Sequence, residues 1–434
     1  MLETKPTRGE TAWFVHDRFG MFIHWGTYSA AARHEWVRNV EQISEEDYQK
    51  YFDHFEPDLY DPKAWAKAAR EAGMKYFVIT TKHHEGFCLW DTQFTDYKAP
   101  NSPIGRDLLT PMVEAFREEG LRVGFYYSVI DWHHPHFTID AHHPQRNHPG
   151  AEKMNEGRDI KIYAEYMRNQ VRELLTNFGQ IDILWFDFSY PQTLWNDQPG
   201  KGRDDWESEK LMAMIREIAP KAIVNNRIDL PDVPADVHTP EQYQPTAWVK
   251  VDGEPVVWEG CQTLSGSWGY HRDETTWKSA DQLVQMLVDT VSKGGNLLMN
   301  VGPTARGNLD SRALDALRTY ADWMELHARS IYGCTQSEYS ASGDVRYTQN
   351  LETNRIYVHI FAWPYAHLHL PELAGKVEYA QFLNDASEVR FQNESHAQEH
   401  NMLAGETAAG TLTLNLPVLK PNVIVPVIEL FLKS

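Results

Sequence analysis

Apolar residues over the first 300 positions fall into short β-branched and aromatic runs separated by longer stretches of helical spacing. The runs are MFIHW (21–25), KYFVITT (75–81), RVGFYYS (122–128), IDILWFD (181–187), AIVNNR (222–227), VVWEGC (256–261) and NLLMNV (296–301). A weaker one, ADVHTPE (235–241), fits between the fifth and sixth. The helical stretches are PKAWAKAAREAG, DLLTPMVEAFREEG, DIKIYAEYMRNQVRELLTNFG, SEKLMAMIREIAP and SADQLVQMLVDTVSKGG, several of them closing on Gly. Strand alternating with helix is the pattern of a parallel sheet, and eight strands point to a (β/α)8 barrel. The alternation fails where IDLPDVP and QYQPTAWVKVDGEP hold too much Pro, Asp and Gly for a helix, so two outer helices are expected to be missing. After SRALDALRTYADWMELHARSIYG the chain turns to RIYVHIFAW, TLTLNL and VIVPVIELFL, broken by Gly, Pro and Asn. The expected fold is α/β: an irregular TIM-like barrel over 1–338 followed by an all-β C-terminal sandwich over 339–434.

Composition narrows what such a fold can bind. With 41 Lys and Arg against 61 Asp and Glu, the net charge is −20 across 434 residues, so the electrostatic footprint for nucleic acid or an acidic membrane is absent. Aromatic residues make up 12%, including 15 Trp and 20 Tyr, and supply the flat apolar platforms that sugar rings suit. Cys88, Cys261 and Cys334 form no CxxC pair and read as buried free thiols. The opening MLETKPTRGETAWFVHD lacks the apolar core of a signal peptide, and no stretch has the length of a membrane span, which places the chain in the cytoplasm as an expectation. Oligomeric state is not encoded in any pattern of this kind.

A barrel builds its active face from the carboxyl ends of its strands. The first run leads to His24, Glu35 and Trp36, and the second ends at His83 and His84. The others end at Tyr127, Asp187, Arg227, Glu241 and Glu259. A lone strand-end His or Asp is more often a structural hydrogen-bonding group than a catalyst. Six or seven at one rim are different, because each costs about 1 to 3 kcal/mol if buried without a partner. They are expected to line a wet pocket for a polyhydroxylated molecule. Side chains alternate along IDILWFD, so Asp187 faces the barrel interior together with Trp185 and Ile183.

The blocks FGMFIHWGTYSAAARHEW, KYFVITTKHHEGFCLWDT, GLRVGFYYSVIDW, ILWFD, VNNR, HTPEQ, WEGCQTLSGSWGYHRD and SKGGNLLMNVGPTARG resemble, in order, those of α-L-fucosidases of glycoside hydrolase family 29. The resemblance runs from about residue 13 to 310. It implies a retaining exo-acting hydrolase that releases terminal α-L-fucose from a glycoconjugate or oligosaccharide, without cofactor or metal. It further implies Asp187 as nucleophile, Glu241 as acid/base, and His24, Glu35, Trp36, His83, His84, Tyr127, Trp185, Arg227 and Trp268 as sugar-binding residues. The chain departs from the family's usual pattern at Glu85, Phe188 and Asn226, and the bulk of Phe188 bears on the aglycone side.

Acetal hydrolysis with retention needs one ionised and one protonated carboxyl roughly 5 to 5.5 Å apart. On residue grounds alone the acid is Glu241 or Glu259, since both end candidate strands; the resemblance favours Glu241. Repulsion from an ionised nucleophile, about 3 kcal/mol at an effective dielectric of ~20, would favour a protonated acid and an optimum near pH 5 to 7. Two other readings compete. One is a fucose-binding protein without turnover, and the other a metal-dependent barrel hydrolase using the histidines of FIHW, KHH and DWHHPHF with Asp187.

Overall fold

The computed structural model describes residues 3–341, 343–393 and 408–433. Seven parallel strands form one curled sheet: β1 Phe19–Ile23, β2 Tyr76–Lys82, β3 Arg122–Ser128, β4 Ile183–Asp187, β5 Ile223–Val224, β6 Glu259–Thr263 and β7 Asn296–Val301. Their spatial order is β6-β7-β1-β2-β3-β4-β5. The ring closes through the weak eighth run, which is a polar stave held by isolated parallel bridges. Asn225 pairs with Val237 on one side, and His238 with Trp258 and Glu241 with Cys261 on the other. This stave forms no continuous ladder because Pro240 removes a donor and little of the segment is apolar.

Alternation along each strand separates two cores. Phe22, Tyr76, Val78, Tyr126, Ile183, Trp185, Ile223 and Leu298 fill the barrel interior. Met21, Phe77, Ile79, Phe125, Leu184 and Met299 pack outward against the helices. Those helices are α1 Pro62–Glu71, α2 Leu109–Glu118, α3 Ile160–Asn177, α4 Ser208–Ile218, α5 Ala280–Val291 and α6 Ser311–His327. Their starts carry local signals. Asp61 accepts from the backbone of Lys63 and Ala64 ahead of Pro62, and Ser279 with Gln282 makes a capping box for α5. Gly73 and Gly120, at φ of 83° and 77°, end α1 and α2 in a conformation that L side chains rarely adopt.

No helix lies between β5 and the polar stave, and the connection from the stave to β6 carries only the short hairpin Lys250–Val251 and Glu254–Pro255. Both outer helices expected to be missing are missing. Beyond α6 the chain forms an antiparallel five-stranded sheet facing a three-stranded one, with Val358, Ile356, Leu370, Leu412, Leu414 and Leu430 between them. The first strand of this unit is Thr335–Gln336, slightly ahead of the expected boundary. The two units share apolar packing, because Tyr357, Leu383, Val425 and Val427 join the outer core of the barrel.

Candidate active site

At the carboxyl end of the barrel one cavity is lined by Phe22, His24, Glu35, Trp36, His83, Tyr126, Trp185, Asp187, Phe188, Arg227, Glu241 and Trp268. Asp187 is the last residue of β4 and is 14% exposed at its side chain. Its Oδ2 accepts from the Tyr126 hydroxyl at 2.9 Å, and its Oδ1 accepts from Arg227 Nη1 at 2.8 Å. The same Nη1 donates to Glu241 Oε2 at 2.6 Å, so one guanidinium nitrogen stands between the two carboxylates. Burial pulls against the charge on Arg227, but Asp187, Cys261 and Glu241 outweigh it and raise its pKa, so the cation is permanent. The guanidinium also lies 4.6 Å from the ring centroid of Trp185 and donates from Nε to Thr239.

Three imidazoles surround this pair. Asn300 Nδ2 donates to the Trp268 carbonyl at 2.6 Å, which leaves its Oδ1 to accept from His24 Nδ1 at 2.6 Å. Ser128 donates its hydroxyl proton to the Ile130 carbonyl and sits 2.6 Å from His84 Nδ1, so this nitrogen too carries the proton. Both rings present Nε2 as an acceptor. Burial, followed by the neighbouring His83, pushes the pKa of each well below 6.5, which keeps them neutral. His83 stacks on Tyr126 with the planes 13° apart, and His24 and Tyr28 pack on it edgewise.

Around these polar groups stand apolar rings. Trp268 packs 5.1 Å from His24 and 5.8 Å from Phe22, and its loop is fixed where the Gly269 amide donates to Glu35 Oε2 at 2.7 Å. Trp36 stands 4.9 Å from both His84 and Phe188. Phe188 adopts a φ of 83°, a left-handed conformation costly for an aromatic residue, and meets His142 and Tyr190 as well. Asn226, the third departure, accepts from the Thr239 backbone and side chain instead of entering the cavity.

Of the expected site residues, Tyr127 and His84 do not line the cavity. Tyr127 points outward from β3, donates to Gln170 Oε1 at 2.7 Å, and lies in the core between barrel and helices. Tyr126, one residue earlier and opposite Trp185 in the register, faces inward. Alternation applied to RVGFYYS as it was to IDILWFD would have found it. Phe22 and Asn300 follow from the same rule on their strands. His84 lies behind the lining residues, with Nε2 3.9 Å from Asp187. Glu259 opens β6 instead of ending a strand, and is sealed inside the barrel. Its oxygens accept from Tyr76 at 2.6 Å and Trp185 Nε1 at 3.2 Å, and burial raises its pKa to about 7. Among the described residues no group of three or more His, Cys, Asp or Glu is arranged to hold a metal ion, and no helix is long and apolar enough to cross a membrane.

The sequence pattern of the alpha-L-fucosidase family matches residues 2–329. Human plasma alpha-L-fucosidase is 28% identical over 396 residues, which cover 83% of this chain and 78% of its own. Alpha-L-fucosidase isoenzyme 1 from Paenibacillus thiaminolyticus has a similar solved structure, with a TM-score of 0.89 at 45% identity over 98% and 99% of the two chains. An alpha-L-fucosidase of glycoside hydrolase family 29 from Bacteroides thetaiotaomicron, trapped as a covalent intermediate with 2-fluoro-fucosyl fluoride, gives 0.84 at 26% identity over 100% and 98%.

Proposed function

The chain belongs to the alpha-L-fucosidase family, and from that premise we propose that its retaining hydrolysis of terminal α-L-fucosides runs through Asp187 as nucleophile and Glu241 as acid/base. The observation that carries the assignment is the shared Arg227 nitrogen. Bonds of 2.8 and 2.6 Å to one atom bound the carboxylate separation and are compatible with the roughly 5 to 5.5 Å of retaining pairs. Glu259, whose oxygens are already taken up by Tyr76 and Trp185 under the cavity floor, has no path to a leaving group.

The steps follow from this geometry. Asp187 attacks the anomeric carbon while the bond to the leaving oxygen breaks and that oxygen takes a proton from Glu241. A water then gives a proton back to Glu241 as its oxygen displaces Asp187 and releases the sugar. Arg227 donates to Asp187 and to Glu241 from one nitrogen, so a positive charge stands between the two carboxyl groups and screens the direct repulsion expected from the sequence. Glu241, 41% exposed at its side chain, must therefore exchange its Arg227 bond for the leaving oxygen when it acts as an acid. His24, His83, His84, Glu35 and Arg227 offer polar partners to hydroxyls, while Phe22, Trp185 and Trp268 offer an apolar wall that suits the C5 methyl. The sugar partner is thus a fucosylated oligosaccharide or glycoconjugate. The catalytic unit is the barrel, 1–338, and the sandwich over 339–434 serves to brace it. Three buried free thiols suit a reducing compartment such as the cytoplasm.

Replacement by Gly with azide supplied tests both roles. Asp187→Gly is expected to lose turnover by several orders of magnitude and, with azide, to form the β-L-fucosyl azide by a single inversion. Glu241→Gly is expected to be slow at deglycosylation and to form the α-L-fucosyl azide. An azide-rescued Glu259→Gly beside an unimpaired Glu241→Gly would transfer the acid/base role to Glu259.

A further inference from the structure

Two of the three histidines at the site have a visible device that fixes the proton on Nδ1: Asn300 for His24 and Ser128 for His84. The third, His83, makes no hydrogen bond through Nδ1, and that atom is fully buried. The group facing it is Glu85, whose Oε2 lies 3.5 Å away, a small rotation short of a hydrogen bond. Glu85 is 1% exposed and His83 is 3% exposed. Neither carboxylate oxygen of Glu85 has another partner among the described residues. Burying a carboxyl with both oxygens unpaired is costly, so its position calls for an explanation beyond packing.

His83 is the one basic group among the described residues that lies within 4.0 Å of this carboxylate. Gly26 gives it room, since a Cβ there would come within 3.0 Å of Glu85 Oε1. The Tyr28 ring packs edgewise on His83 at 5.2 Å, and its hydroxyl is directed instead to Thr80 at 3.3 Å. Packing by Tyr126, His24 and Tyr28 fixes the plane of the imidazole, but packing does not choose which nitrogen holds the proton. A carboxylate beside Nδ1 does choose, because it attracts N–H and repels a lone pair.

We propose that Glu85 is a positioning residue that keeps the proton of His83 on Nδ1, so that Nε2 accepts a hydrogen bond from a sugar hydroxyl in the same sense as His24 and His84. The two histidines that line the cavity, His24 and His83, and His84 behind them then share one tautomer, each set by a different side chain. This rests on the fucosidase reading of the cavity, and it makes the Glu at position 85 part of substrate recognition rather than of the core.

The test combines kinetics on an aryl α-L-fucoside with nitrogen-15 spectra of the full chain labelled at histidine, the His83 signals being identified by their loss in His83→Ala. A wild-type chain inactive on the fucoside would count against the fucosidase reading itself; given activity, the outcomes below concern Glu85 alone. In the wild type, His83 is expected to show a protonated Nδ1 and an unprotonated Nε2. Glu85→Leu should reverse or mix that pattern and lower kcat/KM by about 10- to 100-fold, the scale seen when a group that orients a ligand is removed. In a His83→Ala background the same change should cost less than about 3-fold, because the positioned ring is gone. Glu85→Asp should retain the tautomer and recover most of kcat/KM. An unprotonated Nδ1 in the wild type, or an equal loss with and without His83, would overturn the proposal. Should Glu85→Leu fail to fold, the wild-type spectrum and Glu85→Asp still decide it.

Discussion

Glu259 shows how much one buried carboxyl depends on its depth in the barrel. Burial raises its pKa from 4.5 to about 7, against the opposing pull of the Tyr76 and Trp185 hydrogen bonds. The folded chain therefore holds a proton that the unfolded chain has released between these two values, so its contribution to stability is full below about 4.5 and is lost as pH rises toward 7. At pH 8 the loss is on the order of 1 to 3 kcal/mol. Glu259→Gln, neutral at every pH, should be no more stable than the wild type at pH 5 and should gain on it by pH 8. Melting temperatures of both proteins across that range check this, and a constant difference would mean that Glu259 does not titrate in the folded state. From sequence this residue resembled a strand-end rim group, because WEGC gives no sign of where its strand begins. Asp187, Arg227 and Glu241 were legible in contrast, since each follows an apolar run or sits in a recognisable block. What the residues could not reveal is that a single Arg227 nitrogen joins both carboxylates.

At the scale of elements, strand parity decides which of two adjacent tyrosines enters the chemistry. Tyr126 donates to Asp187 from inside β3, whereas Tyr127 donates to Gln170 on α3 from outside it. Removing a hydrogen bond to a charged acceptor costs about 1.5 to 3 kcal/mol, so Tyr126→Phe should lower kcat about 10- to 100-fold. Burial and the nearby Asp187 charge raise the Tyr126 pKa, so the phenol stays protonated and the lower rate should hold across the working pH range. Tyr127→Phe should instead leave kcat near the wild-type value and cost about 1 kcal/mol of stability, the Gln170 bond alone. Steady-state kinetics and melting of the two variants separate these effects, and a larger kinetic loss at Tyr127 would reverse the assignment. The same parity explains the legible strands: β1 to β4 are largely apolar on both faces, as a helix-covered parallel sheet requires, and β7 is apolar outward but carries Asn296 and Asn300 inward beside Leu298. The eighth stave is faint because side chains substitute for its ladder. Asp236 accepts from the backbone amides of Arg8, Gly9 and Val224, a role that leaves no periodic trace in sequence.

For the whole molecule, the question is whether barrel and sandwich unfold together. Their apolar contact is continuous with the outer barrel core, and two polar links cross the same boundary: Trp323 Nε1 donates to the Val425 carbonyl at 3.3 Å, and Thr348 donates to the Ser330 carbonyl at 2.6 Å. Asp289 on α5 ties a third point. It accepts from Arg346 Nε of the sandwich at 2.6 Å, from Lys293 just past the end of its own helix, and from Gln244 at 2.7 Å, three residues past Glu241. Burial opposes its charge, but Lys293 and Arg346 more than offset that and lower its pKa. The stabilisation is therefore present above the ordinary carboxyl value and lost as pH falls below it toward the lowered folded value. Because breaking a buried pair strands the partner charges, Asp289→Ala should cost about 2 to 4 kcal/mol near pH 7, and progressively less as pH falls below the ordinary carboxyl value of 3.8. Calorimetry should show one transition for the wild type, moved down and still single in the variant. Two separated transitions in the wild type would mean that the shared core does not couple the units. The Gln244 contact adds a functional consequence, since it anchors the segment that carries Glu241. A sandwich that only covered the barrel would leave kcat unchanged in Asp289→Ala at temperatures well below unfolding, whereas a brace for the acid/base segment requires kcat to fall while Asp187 remains trappable by a 2-fluoro-fucoside.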